Sequence, residues 1–224
     1  LDCICIKEEF IMENRIVKFK SKESNLLNLH AIPGHFATSH SHINYYVDVT
    51  SIKTRTSEAK EAAKVLCSKL PRQSYIDTIV CMDGTEMIGA FLSEEIANNG
   101  ILSINRHETT YVVSPEINNN NQMLFRDNNK AAIEGKHIVL LLATTTTGET
   151  IRRALECIQY YGGSVVCVAS IFSTIDSVDG KEIEKLFDVD DVLNYEAYPV
   201  GECPFCKKGH KIEAMVNGYG YSKL

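Results

Sequence analysis

Residues 136–150 read KHIVLLLATTTTGET, and no other stretch of this 224-residue chain constrains its fold as tightly. Lys136–Ala143 is the most apolar run in the sequence. It is continuous rather than alternating, the mark of a strand covered on both faces. A Thr/Gly turn follows, and a helix is expected from about Glu149 to Tyr160, ended by Gly162-Gly163 as a C-cap would end it. A buried strand feeding a tight turn that opens a helix aims free backbone N–H groups and the positive end of the helix dipole at one spot, which suits a phosphate. The candidate loop is Thr145, Thr146, Thr147, Gly148, Glu149 and Thr150. Its threonine hydroxyls would add donors, and Gly148 would let the backbone approach closely. The plainer alternative is a Thr-rich connection with no ligand.

The flanking sequence alternates strand and helix. Tyr45–Thr50 has the period-2 pattern of a strand. Thr56–Leu70 places Ala59, Ala62, Ala63, Leu66 and Leu70 at helical spacing, and Pro71 stops it. Tyr75–Met82 reads as a second doubly buried strand. Asp83-Gly84-Thr85 forms the turn, and Met87–Asn98 is a helix with Ile88, Phe91, Leu92 and Ile96 on one stripe. Weaker strand signals lie at Ile101–Ile104, Thr110–Ser114 and Met123–Phe125. Asn118–Asn121, four asparagines in a row, reads as a mobile loop. Val165–Phe172 is another buried strand, Lys181–Phe187 a short helix and Val192–Tyr195 a last short strand. This order predicts an α/β fold with a mostly parallel central sheet flanked by helices.

Composition narrows the function classes. Hydrophobic residues make up 44% and charged residues 23%, with a net charge of −6. No basic stripe suits nucleic acid, no polybasic segment suits a membrane surface, and no apolar run is long enough to span a bilayer. The eight cysteines are scattered, several within apolar runs, and nothing reads as a signal peptide. A reducing, cytoplasmic setting is expected. Residues 1–11 read as an over-extended gene start ahead of Met12.

The stretch from about residue 44 resembles the type I phosphoribosyltransferases. Their motif is a hydrophobic strand, two acidic residues, two further residues and TTGxT, matched here by Thr146-Thr147-Gly148-Glu149-Thr150. Tyr45-Tyr46-Val47-Asp48 resembles the YYxD stretch of orotate phosphoribosyltransferases. Cys81–Gly89 (CMDGTEMIG) falls where that family carries its short pyrophosphate-binding loop. The resemblance implies a phosphoribosyltransferase core over 44–200, with a flexible hood loop at 105–127 between an N-terminal segment (1–43) and a C-terminal tail (201–224). It implies Mg²⁺-bound phosphoribosyl pyrophosphate as substrate, attacked at C1′ by a nucleobase nitrogen, and a homodimer. Asp83, Gly84, Thr85 and Glu86 would take the pyrophosphate or Mg²⁺. Alternatively Asp83 is a helix N-cap and Glu86 a first-turn glutamate. Arg106, Arg126 and Asp127 are the polar candidates of the hood. The acidic pair that binds the ribose hydroxyls is replaced by Leu142 and Ala143. The alternative function is therefore a regulatory protein that kept the phosphate cradle and lost catalysis.

Glu202–His210 (ECPFCKKGH) is a CPxC knuckle, which aims two thiolates at one metal. Cys203, Cys206 and His210 are expected ligands of a structural Zn²⁺, with His35 as the candidate fourth. His35 belongs to a run, His30–His42, that holds four of the chain's seven histidines (His30, His35, His40 and His42). These histidines could instead line the mouth of the active site. The plainer reading of the cysteine pair is a redox dithiol.

Overall fold

The computed structural model describes residues 14–71, 75–98, 109–118 and 122–224. The 1–11 stretch and the Ile101–Ile104 strand expected above lie outside these residues. The chain begins with β1 (Val17–Lys20), β2 (Asn28–Ala37) and β3 (Ser41–Asp48), then α1 (Thr50–Thr54) and α2 (Thr56–Lys69). Next come β4 (Thr78–Cys81), α3 (Glu86–Asn98), β5 (Tyr111–Val113), β6 (Glu116–Ile117) and β7 (Met123–Leu124). The second half carries β8 (His137–Thr145), α4 (Glu149–Tyr160), β9 (Ser164–Ser173), β10 (Ser177–Val178) and β11 (Lys181–Asp188). It closes with β12 (Ala197–Pro199), α5 (Pro204–Lys207), β13 (Ala214–Asn217) and β14 (Gly220–Lys223).

The central sheet runs β10-β11-β9-β8-β4-β5, parallel throughout except for β10 at its edge. Alternate residues of β8 enter two separate cores. Val139, Leu141 and Ala143 pack with Leu66, Ile88 and Leu92 of α2 and α3. Ile138, Leu140 and Leu142 pack with Ile151, Ala154 and Ile158 of α4. This two-sided burial explains the unbroken apolar run and confirms the α/β class with helices on both faces.

Two elements differ from the sequence reading. Lys181–Phe187 is a strand, not a helix, and pairs in parallel with β9 from Ile183↔Val168 to Asp188↔Ser173. Its Ile183, Leu186 and Phe187 mimic helical spacing, yet Ile183 joins the core on the α4 side while Leu186 and Phe187 join the other. Val192–Tyr195 is a turn instead of a strand. It follows a 3-10 turn at Val189–Asp191 capped by the Asp188 side chain, and buries Val192 and Tyr195 without ladder pairing. The strand of this region is β12, paired antiparallel with β3.

A second sheet, unforeseen as a unit, runs β12-β3-β2-β13-β14, with β1 also on β2. It joins strands from both ends of the chain to β3. Within β2 the register shifts between Pro33 and Phe36. No described helix is long and apolar enough to cross a membrane.

Leu141 is fully buried between α2, α3 and the sheet. Leu141→Ala is expected to lower unfolding free energy by about 3 kcal/mol. Leu193→Ala, at a side chain that is 71% exposed, should change it by less than about 0.5 kcal/mol. Urea titrations of both variants check this.

Candidate active site and metal centre

Strand β8 delivers its last residues to a cleft of about 170 Å³ between the two sheets. Thr144–Ile151 form one side, and β3 together with the turn after β13 forms the other. Gly148 is the N-cap of α4 with φ 76°, and no side chain caps that helix. The left-handed turn excludes other residues on two counts: its φ, and a Cβ that would stand 2.5 Å from Val178 Cγ2. The first-turn N–H groups of α4 therefore open toward the cleft, with Thr146, Thr147 and Thr150 around them. Thr145 is only 4% exposed, and its hydroxyl has no hydrogen-bond partner among the described residues. A buried hydroxyl left without a partner costs about 1–3 kcal/mol, and this one stands in the cleft wall, shielded from solvent.

Leu142 and Ala143 are fully buried, each facing one of the two cores. They fill the strand interior and offer the cleft no acceptor. The nearest carboxylate is that of Asp83, which lines the cleft and accepts a hydrogen bond from the Ala143 N–H. Asp83 has φ 56° and Gly84 φ 78°, so the 83–86 loop is a left-handed turn and Asp83 is not the N-cap of α3. Glu86 is that helix's first-turn acid, as the alternative reading had it. Burial pushes the Asp83 carboxyl above the ordinary carboxylate range, while Lys53 and the Ala143 N–H pull it back. The Thr85 hydroxyl donates to the carbonyls of Met82 (2.9 Å) and Leu141 (3.2 Å), locking the loop onto β8 rather than facing a ligand.

Lys53, from α1, is buried beneath this loop and donates to the carbonyls of Asp83 and Gly218, both at 2.7 Å. Burial lowers its pKa despite the surrounding carboxylates. It links the candidate pyrophosphate loop to the turn after β13. No periodicity or motif marks it in the sequence.

The hood candidates do not converge on the cleft. Arg106 lies outside the described residues. Arg126 is exposed and forms a two-bond ion pair with Glu116 across the β6–β7 hairpin (2.7 and 2.6 Å). Asp127 opens the exposed 3-10 turn that follows. Ser114, at the root of the hairpin, reaches the 83–86 loop, donating to Glu86 at 2.7 Å.

The histidine run divides between two sites. His40 lines the cleft. His35 of β2 and His42 of β3 meet Cys203 and Cys206, with all four ligand atoms within 4.8 Å of one another. Cys203 Sγ lies 3.4 Å from His35 Nε2, Cys206 Sγ 3.2 Å from His42 Nδ1, and the two ring nitrogens are 3.1 Å apart. A tetrahedron with bonds of about 2.0–2.3 Å has edges of about 3.3–3.8 Å, so the set has the dimensions of an S₂N₂ metal site. His35 Nδ1 lies 3.1 Å from the carbonyls of His210 and Lys211, which leaves Nε2 as the ligating nitrogen. His210 is therefore not in the cluster. It is exposed, its ring lies against Phe205, and its backbone carbonyl orients a ligand instead. His42 takes the fourth place. Sequence spacing could not choose it, because the pairing of β2 with β3 is what brings residues 35 and 42 together.

Two substitutions test this geometry. Leu142→Asp, which places an acid at the fully buried end of β8, should cost roughly 4 kcal/mol or more, since it removes core packing and buries a carboxylate. Lys53→Met leaves two carbonyls without their donor and should cost about 2 kcal/mol. Thermal and urea unfolding read both.

No protein-family model matches the chain. The orotate phosphoribosyltransferase of Thermotoga maritima is 27% identical over 193 residues, covering 79% of this chain and 86% of that protein. Among solved structures, the orotate phosphoribosyltransferase of Mycobacterium tuberculosis aligns at 14% identity over 72% of this chain and 90% of its own, with a TM-score of 0.49. The adenine phosphoribosyltransferase of Thermoanaerobacter pseudethanolicus aligns at 15% identity over 79% of this chain and 97% of its own, with a TM-score of 0.49. The strand–TTGET–helix cradle and the cleft before it thus stand in a chain similar over most of its length to the orotate phosphoribosyltransferase of Thermotoga maritima.

Proposed function

We propose that the chain is a phosphoribosyltransferase that binds phosphoribosyl pyrophosphate in the cleft and transfers its ribosyl group to an orotate-like base. The carrying observation is the uncapped N-terminus of α4, opening on the cleft among Thr146, Thr147 and Thr150. In this reading residues 145–150 hold the 5′-phosphate, and the 83–86 loop presents Asp83 to the pyrophosphate while Thr85 anchors it to β8. Ile43, Tyr46, Phe172 and Tyr195 give the cleft an apolar, aromatic wall suited to a planar base. The reaction forms a bond from a ring nitrogen to C1′, and the C1′–O bond electrons leave with pyrophosphate. Catalysis then rests on positioning and on charge stabilisation. Asp83 and Glu86 are hard oxygen donors of the kind Mg²⁺ takes, and the ion would neutralise the departing pyrophosphate. The 105–127 hood, rooted at Ser114, would exclude water.

The same reading takes Zn²⁺ as the metal of the His35/His42/Cys203/Cys206 cluster. It expects a homodimer in the cytoplasm, with no role for nucleic acid or a membrane. Cys203 and Cys206 are not in a disulfide, as a thiolate metal site requires. A second reading, a regulatory protein that binds phosphorylated ligands without turnover, is favoured by the core-facing Leu142 and Ala143 in place of the acidic pair.

Calorimetric titration with phosphoribosyl pyrophosphate and Mg²⁺, against ribose 5-phosphate and inorganic phosphate, separates the readings. Binding of the diphosphate at least about tenfold tighter than ribose 5-phosphate, a difference of about 1.4 kcal/mol, followed by turnover with orotate, is the expected result. Equal weak binding of all three without turnover leaves the regulatory reading. Thr145→Val should leave unliganded stability unchanged or raised, since it removes a buried hydroxyl that has no partner.

A further inference from the structure

The metal cluster stands at the root of the C-terminal hairpin, and that hairpin forms part of the cleft. Strand β13 joins the sheet through only two residue pairs with β2, Ala214↔Phe36 and Met215↔Ala37. Its remaining ladder is with β14, which lies at the sheet edge. Yet Val216, Asn217 and Gly218 line the cleft opposite the phosphate loop. The Gly218 carbonyl accepts from Lys53, which also holds Asp83. A Cβ at Gly218 would stand 2.4 Å from Asp83 Cγ, so the turn is packed directly on the 83–86 loop. Just before the hairpin, Glu213 N donates to the His35 carbonyl at 2.8 Å.

The four ligands come from three places: β2, β3 and the CPxC turn at Cys203–Cys206. We propose that a tetrahedral metal bound by His35, His42, Cys203 and Cys206 fastens the C-terminal hairpin to the β2–β3 pair and so builds one wall of the cleft. Metal loading and ligand binding at the cleft are then coupled, although the two sites share no residue. Removing the metal releases the CPxC turn, and β13 is then held by its two ladder pairs, the buried Ala214 and Val216, the Glu213 bonds to His35 and Arg15 and the Lys53–Gly218 bond, a weaker hold on the wall against Asp83. By linkage, a ligand in the cleft also retains the metal more tightly. The coupling to ligand binding rests on the cleft being a phosphate site. The metal set and the fastening of the hairpin do not.

The test uses the full chain. The purified protein should carry one tetrahedral metal per chain, and replacement by Co²⁺ should give tetrahedral d–d bands with thiolate charge-transfer absorption. His42→Ala should weaken metal binding roughly a hundredfold or more. His210→Ala should retain the metal, and His42→Cys should restore binding with added charge-transfer intensity. Chelation of the wild-type protein should speed amide exchange across 214–223 about tenfold or more while β8 and β9 stay protected. It should also weaken ribose 5-phosphate binding about fivefold or more, as allosteric couplings of ordinary size do.

Metal lost in His210→Ala but kept in His42→Ala overturns the ligand set, as does a Cys203–Cys206 disulfide with no metal in freshly isolated protein. Unchanged exchange at 214–223 after chelation overturns the fastening. Faster exchange with no phosphate binding in either state would uphold the fastening, overturn the coupling and count against the phosphate site itself.

Discussion

At Gly148 the chain turns with φ 76° in a space that Val178 closes to any Cβ. That turn lets a strand buried on both faces end against the uncapped N-terminus of a helix. The strand must be apolar because it divides two cores. The helix start must stay open because no side chain caps it. The cleft follows from both, since the last residues of β8 emerge from the sheet beneath the second sheet. Thr145, buried and without a partner, is the residue on which these requirements meet.

The family's chemistry is divided differently here. The two positions where the motif this chain resembles carries acids face the interior as Leu142 and Ala143, and a carboxylate arrives from the neighbouring loop as Asp83. Its backbone is left-handed, its carboxyl bonds the Ala143 N–H, and Lys53 holds its carbonyl. Lys53 in turn holds the turn after β13. The cleft is therefore assembled from three separate parts of the chain.

Strands β4, β8 and β9 and helices α2, α3 and α4 were legible because each side chain's fate follows from its place in a local pattern: continuous apolar runs for the doubly covered strands, a 3.6-residue stripe for the helices. The phosphate loop was legible for the same reason, being one contiguous segment. Lys181–Phe187 was misread because Ile183, Leu186 and Phe187 satisfy helical spacing while serving opposite faces of a strand. The second sheet stayed hidden because its pairings join residue 36 to residue 214 and residue 42 to residue 198, and its central strand is interrupted at Pro33. The metal set was half legible. Cys203 and Cys206 announce themselves by spacing, whereas the choice of His42 over His210 depends on the β2–β3 register. Lys53 carries no sequence signal at all, since a lysine in a short helix reads as a surface residue until the fold buries it.

The most direct test of the phosphate cradle is an amide chemical-shift titration of ¹⁵N-labelled protein with ribose 5-phosphate. A cradle built from the α4 N-terminus predicts the largest shifts at Thr146–Ile151, with smaller ones at Asp83–Gly84 and Asn217–Gly218 across the cleft. Shifts centred elsewhere, or none at saturating ligand, would contradict the assignment of this cleft as a phosphate site.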